Sequence, residues 1–98
     1  MASLAQSKNY MQRVTLMYVV RLLVEVVDES TCKSELNPIM IRMAADPVPN
    51  VRMNAALAMR AALTHRKLAP GDVETMSSKL RQDVDADVRD AMSPPVKA

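Results

Sequence analysis

The chain has 98 residues, of which 49% are hydrophobic and 24% charged, a balance that supports one folded domain with a modest core and excludes a disordered or fibrous chain. Thirteen basic residues stand against eleven acidic ones for a net charge of +2, and no stretch concentrates the positive charge, so the footprint of a nucleic-acid-binding protein is missing. One Gly, no Phe or Trp and nine Met beside many Ala and Leu favour helices over sheets, and an all-α protein is expected.

Residues 1 to 8, MASLAQSK, carry no periodic pattern and are expected to be irregular. Tyr10 to Val27 is a helix by its spacing: Val14, Tyr18, Leu22 and Val26 share one face, and Leu16, Val19, Val20, Leu23 and Val27 widen it. Arg21 and Glu25 interrupt this apolar stretch, so it is too short and too charged to span a bilayer. Ser34 suits the cap of a second helix that runs to about Ala45 with Leu36, Ile39, Met40 and Met43 on its apolar face and Pro38 in its first turn. Asp46 then reads as the cap of a third helix from about Pro49 to Thr64, whose Val51, Ala55, Ala58 and Ala62 form a small-residue face. Leu68-Ala69-Pro70-Gly71 breaks the chain. Asp72 reads as the cap of a fourth helix with Val73, Met76 and Leu80 at helical spacing. After the turn Asp83-Val84-Asp85-Ala86-Asp87, a short fifth helix begins at Val88 and is cut off at Ser93-Pro94-Pro95.

The turns repeat. Asp46 with Val51-Arg52 recurs as Asp83 with Val88-Arg89, 37 residues on, and Arg13 stands 39 residues ahead of Arg52. A two-helix unit with this period is characteristic of HEAT and armadillo solenoids, whose units bury their apolar faces only by stacking on neighbours. The expected architecture is an α-solenoid of about two and a half antiparallel helix pairs in one domain: a repeat remnant at 8–28, a complete repeat at 34–65, a truncated repeat at 72–92 and a tail at 93–98. The first helix then lacks its partner, leaving an apolar face for the early residues, a second copy or another chain to cover. Within the repeat, Asp46 and Asp83 are expected to cap helices, and Arg52 and Arg89 to pair with acids of neighbouring units.

NPIMIRMAADPVPNVRMNAALAMRAAL, preceded by NYMQRVTLMYVVRLLVEV and followed by KLRQDVDADVR, resembles the C-terminal HEAT repeats of the scaffold (A) subunit of protein phosphatase 2A, over about Lys8 to Ala91. The resemblance implies a non-catalytic scaffold whose turns within each repeat hold the phosphatase catalytic subunit. Those turns map to Ser7 to Tyr10, Met43 to Asn50 and Leu80 to Asp87, with Met43, Asp46, Pro47, Val48, Asn50, Arg81, Gln82, Asp83 and Asp85 as contact residues. Arg13, Val51, Arg52, Val88 and Arg89 are the structural motif. Pro94 and Pro95 depart from the family, whose last helix runs on for several turns. The repeats that recruit a regulatory subunit are also absent, so this chain alone is expected to bind the catalytic subunit weakly.

Other function classes find little in the residues. The lone Cys32 cannot form an internal disulfide and reads as a small buried hydrophobe in a reducing compartment. With no basic stretch of a signal peptide at the N-terminus, a cytoplasmic location is expected. His65 beside Arg66 and Lys67 is placed to interact with a helix C-terminus. Asp83, Asp85 and Asp87 alternate as in a Ca²⁺ loop but lack its Gly and its distal Glu. No catalytic pairing or phosphate loop is visible, so no enzyme activity, cofactor or metal is expected. A HEAT adaptor unrelated to the phosphatase is the rival, since the fold hosts many partners.

Overall fold

A computed structural model describes residues 8–65, 67 and 70–92, and only the backbone of 70 and 72–76. The expectations for residues 1–7, Arg66, Leu68 and Ala69, the side chains of Asp72, Val73 and Met76, and the stop at Pro94-Pro95 lie outside the described residues. Among those residues all regular structure is helical: α1 (Tyr10–Leu23), α2 (Glu29–Thr31), a π-helical turn (Cys32–Leu36), α3 (Asn37–Ala44), α4 (Pro49–Thr64), α5 (Pro70–Arg81) and α6 (Ala86–Met92). With α2, the π turn and α3 continuous, these make five helical stretches.

Four of these helical stretches start or end away from their expected positions. α5 is already helical at Pro70, so Asp72 lies inside it and not at its cap, and α6 begins at Ala86, two residues before Val88. α1 stops at Leu23, four residues before Val27, because the chain must turn back and Asp28 caps the next helix by accepting from the Thr31 N–H at 2.7 Å. The second helix therefore begins upstream of Ser34, whose hydroxyl makes only a long contact to the Thr31 carbonyl at 3.5 Å. That places Pro38 inside a continuous helical run, where its ring would meet the carbonyl four residues back. The π turn relieves this: the Asn37 N–H reaches back to the Cys32 carbonyl, and the widened turn lets α3 restart with Pro38 near its head. α4 keeps its expected bounds, Pro49–Thr64.

The helices form two layers. α1, α4 and α6 pack side by side, and α3 and α5 lie against them. The row is parallel, because starts meet starts and ends meet ends. Arg13 near the head of α1 bonds Asp46 just ahead of α4, and Arg52 near the head of α4 bonds Asp83 ahead of α6. At the other end Arg60 of α4 donates to the Ala91 carbonyl of α6 at 3.1 Å, and Lys67, past α4, donates to the Val27 carbonyl past α1. α4 lies in the middle and buries Val51, Ala55, Ala56, Ala58, Met59 and Ala62. Its four buried alanines bring neighbouring backbones close on both sides.

On α1 the buried residues are Leu16, Met17 and Val20, followed by Val24 just beyond it. Tyr18, Leu22 and Val26 are exposed. One side of α1 thus packs on α3 and α4 while a second apolar side faces solvent, so the face left open by the sequence is open among the described residues. No described helix is long and apolar enough to cross a membrane.

Candidate interaction surface

The turns ahead of α4 and α6 share one set of bonds. The Asp46 N–H donates to the Met43 carbonyl at 3.1 Å, as the Asp83 N–H does to the Leu80 carbonyl at 3.2 Å. Asp46 Oδ1 accepts from the Val48 N–H and Asp83 Oδ1 from the Asp85 N–H, both at 2.9 Å. Arg13 grips Asp46 through Nε and Nη2 at 2.7 and 3.2 Å, and Arg52 grips Asp83 through the same atoms at 2.8 and 3.0 Å. Finally Arg52 Nη1 donates to the Asp46 carbonyl at 2.8 Å, and Arg89 Nη1 to the Asp83 carbonyl at 2.6 Å. Arg13, Asp46, Arg52, Asp83 and Arg89 form one continuous ladder along the heads of three helices.

This corrects the roles of two aspartates. Asp46 does not cap α4: the residue at the cap position is Val48, with no side-chain bond, and the Asp46 carboxylate is turned to Val48 N–H and to Arg13. Asp83 behaves alike, and the cap of α6 is Asp85, whose Oδ1 accepts from the Asp87 and Val88 N–H groups at 2.9 and 3.2 Å. An aspartate three residues before a helix reads as a cap from sequence, since its guanidinium partner comes from a helix more than thirty residues away (33 for Arg13 to Asp46).

The ladder separates the expected contact residues into two groups. Met43 is buried at 2% exposure and Asp46 at 6%, so neither presents its side chain on this surface. Val51 and Val88 are core residues as well. Pro47, Asn50, Arg81 and Gln82 are exposed, and Val48, Asp83 and Asp85 are half-buried. Val84, at the tip of the second turn, is 92% exposed. Between the heads of α1, α4 and α6 runs a groove of about 390 Å³ lined by Tyr10, Val48, Pro49, Asn50, Met53, Asp85 and Asp87. Met53 lies outside the expected turns, one helical turn past Pro49, a position that only the side-by-side packing joins to Asp87 at the start of α6.

The groove lining combines the apolar Val48, Pro49 and Met53 with two carboxylates, an amide and a phenol. The alternating Asp83, Asp85 and Asp87 do not converge on a point, because the first two turn their oxygens to the backbone N–H groups that follow. No group of three or more His, Cys, Asp or Glu among the described residues is placed to hold a metal ion. Cys32 is buried, and its burial pushes the thiol up from its ordinary value, which suppresses the reactive thiolate. His65 Nε2 lies 3.9 Å from a Glu25 oxygen across the α1 and α4 ends.

The hydrogen bonds from Arg52, with those from Asp85 N–H and the charge of Arg89, hold the Asp83 carboxyl below its ordinary value of 3.8, against the opposing effect of burial. Asp28 is lowered too, by its bonds to Thr31. A carboxyl whose folded value is depressed adds stability that is complete above its unfolded value and is lost as pH falls through the folded one. Melting temperature is therefore expected to hold down to about pH 4 and then decline. Asp83→Asn should start lower and decline less steeply. An equal acid slope in the variant would show that Asp83 carries none of the effect.

Compared with protein-family models, curated proteins and solved structures, the chain matches none.

Proposed function

We propose that the chain is a non-catalytic scaffold segment of the protein phosphatase 2A type, a HEAT-repeat α-solenoid whose turns contact the phosphatase catalytic subunit. The observation that carries the solenoid is the recurrence of the same bonds at the two turns, in which Arg13 and Arg52 each hold the Asp of the next unit, and Arg52 and Arg89 each hold the Asp carbonyl of their own. Such a ladder sets one unit on the next by the same contact each time, as a repeat array requires. The partner follows from the resemblance of MAADPVPNVR and its flanks to that scaffold. The turns suit the role because helix heads locked by ion pairs present a pre-organised edge, which lowers the ordering cost of binding.

The residues that meet the partner in this proposal are Pro47, Val48, Asn50, Arg81, Gln82, Val84 and Asp85, with Met43 and Asp46 acting beneath them. Purified serine/threonine phosphatase catalytic subunit should be retained by the immobilised chain, weakly alone and more strongly with preceding repeats joined to it. Val84→Glu should abolish retention with no change in melting temperature, since the side chain is almost wholly in solvent. A failure to retain the catalytic subunit even with preceding repeats would remove the phosphatase and leave a HEAT adaptor for another protein.

A further inference from the structure

We infer that the solvent side of α4 is a charge-polarised groove that takes one extended peptide segment of a partner. The segment carries a cationic side chain at the head of α4, an anionic one at its tail and apolar ones between. Asn50, Met53, Leu57, Arg60 and Thr64 follow the alternating three-and-four spacing of one helix face, opposite the buried Ala55, Ala58, Met59 and Ala62. All five are exposed or half-buried. The groove of about 390 Å³ lies at the head of this face. At its tail another, of about 280 Å³, lies between Arg21 and Glu25 on the α1 side and Leu57, Arg60 and His65 on the α4 side. Met53 of the first and Leu57 of the second are one helical turn apart, so the two adjoin.

Charge identifies the occupant. The charged lining of the head groove is Asp85 and Asp87, with no cation. At the tail Arg21, Arg60 and His65 stand against Glu25 alone, and Glu25 faces His65 at 3.9 Å. Arg60 commits one guanidinium nitrogen to the Ala91 carbonyl. Among the described residues the side chains of Arg21 and Asp87 have no bonding partner, and both residues are exposed. A segment charged oppositely to both ends is attracted at both, whereas one of uniform charge is repelled at one of them. Between the ends Met53, Leu57 and Ala61 offer half-buried apolar surface to apolar side chains.

Length sets the size of the segment. Asn50 to Thr64 spans about 21 Å of helix, the reach of about seven extended residues, of which alternate ones point the same way. The track lies inside the row of helices, so a unit stacked on the open side of α1 leaves it uncovered. It shares Val48, Asn50 and Asp85 with the contact edge proposed above, but its charge pattern does not depend on which protein that edge meets.

Fluorescence anisotropy of the full chain with labelled, end-blocked peptides tests this without any phosphatase. Lys-Ser-Leu-Ser-Leu-Ser-Glu should bind, and the same peptide with Lys at both ends or Glu at both ends should bind about fivefold more weakly or worse. Asp87→Lys should weaken the first peptide and strengthen the one with Glu at both ends. Arg21→Glu should weaken the first and strengthen the one with Lys at both ends, an exchange of preference that no effect on folding produces. Amide shifts in NMR spectra on adding the first peptide should centre on residues 50–64. No binding up to about 1 mM peptide, equal affinity for the three peptides, variants that leave their order unchanged, or shifts confined to other helices would each overturn the proposal.

Discussion

Arg52→Ala is expected to lower stability by about 2–4 kcal/mol. Its guanidinium makes four hydrogen bonds, two to the Asp83 carboxylate and two to the carbonyls of Asp46 and Pro47. The two side chains of the ion pair are only 13% and 11% exposed. Truncation leaves Asp83 largely shielded from water without its cation, and that desolvated charge dominates over the lost Coulomb attraction. In a domain of this size each kcal/mol shifts the melting temperature by about 4–8 °C, so a fall of roughly 8–32 °C is expected.

Two comparisons isolate the cause. Lys33 and Glu29 also pair, at 2.9 Å, but their side chains are 43% and 60% exposed, and Lys33→Ala should cost no more than about 0.5 kcal/mol. Arg52→Lys keeps the charge and loses the two-pronged grip, so its cost should fall between the two. Thermal or urea unfolding of the three variants measures all of this. If Arg52→Ala were as mild as Lys33→Ala, the ladder would be an incidental surface contact and not the element that ties the heads of α1, α4 and α6 together.

The parts legible in the sequence were those fixed by local pattern. α4 has a proline at its head, an uninterrupted helical run behind it and apolar residues at the right spacing, and Val51, Ala55, Ala58 and Ala62 are all buried. The 37-residue recurrence of Asp, Val and Arg was legible too, since the same bonds made at both turns leave the same residues at that interval. What the pattern could not give was the partner of each group. Asp46 just before Pro47 satisfies every local criterion of a cap, yet its carboxylate is claimed by Arg13 from another helix. Pro38 with Ser34 ahead of it imitates a helix start, and only the capping by Asp28 reveals that the helix was already under way. The end of α1 was overrun for a related reason, because Val24, Glu25, Val26 and Val27 contain neither Gly nor Pro and the stop is imposed by the turn back into α2. Among the candidate contact residues, exposure separates Asn50 from Met43, although the two stand at either end of one expected turn; exposure depends on which layer packs behind the turn, a property of the whole assembly.

Met59→Ala is expected to cost about 2–5 kcal/mol, a substantial share of the roughly 5–15 kcal/mol that holds a domain of this kind together. Met59 is fully buried and is the largest buried side chain on α4, where Val51 and the alanines 55, 56, 58 and 62 make up the rest. The small side chains that bring α1 and α6 close leave little that could swing into the space a shortened residue vacates. α4 also packs against α1, α3, α5 and α6, so the helices cannot close the cavity without disturbing contacts on several sides. Ser77 of α5, only 3% exposed, directs its hydroxyl at the Met59 sulfur from 3.9 Å, and truncation removes that weak acceptor as well. Met59→Leu, which nearly conserves volume, should cost less than about 1.5 kcal/mol, and the half-buried Leu57 should tolerate truncation better than Met59. Denaturant midpoints for the three variants give the order. Equal losses at 57 and 59 would mean that the interior around α4 is loose enough to collapse, and that the alanine face does not hold its neighbours at close approach.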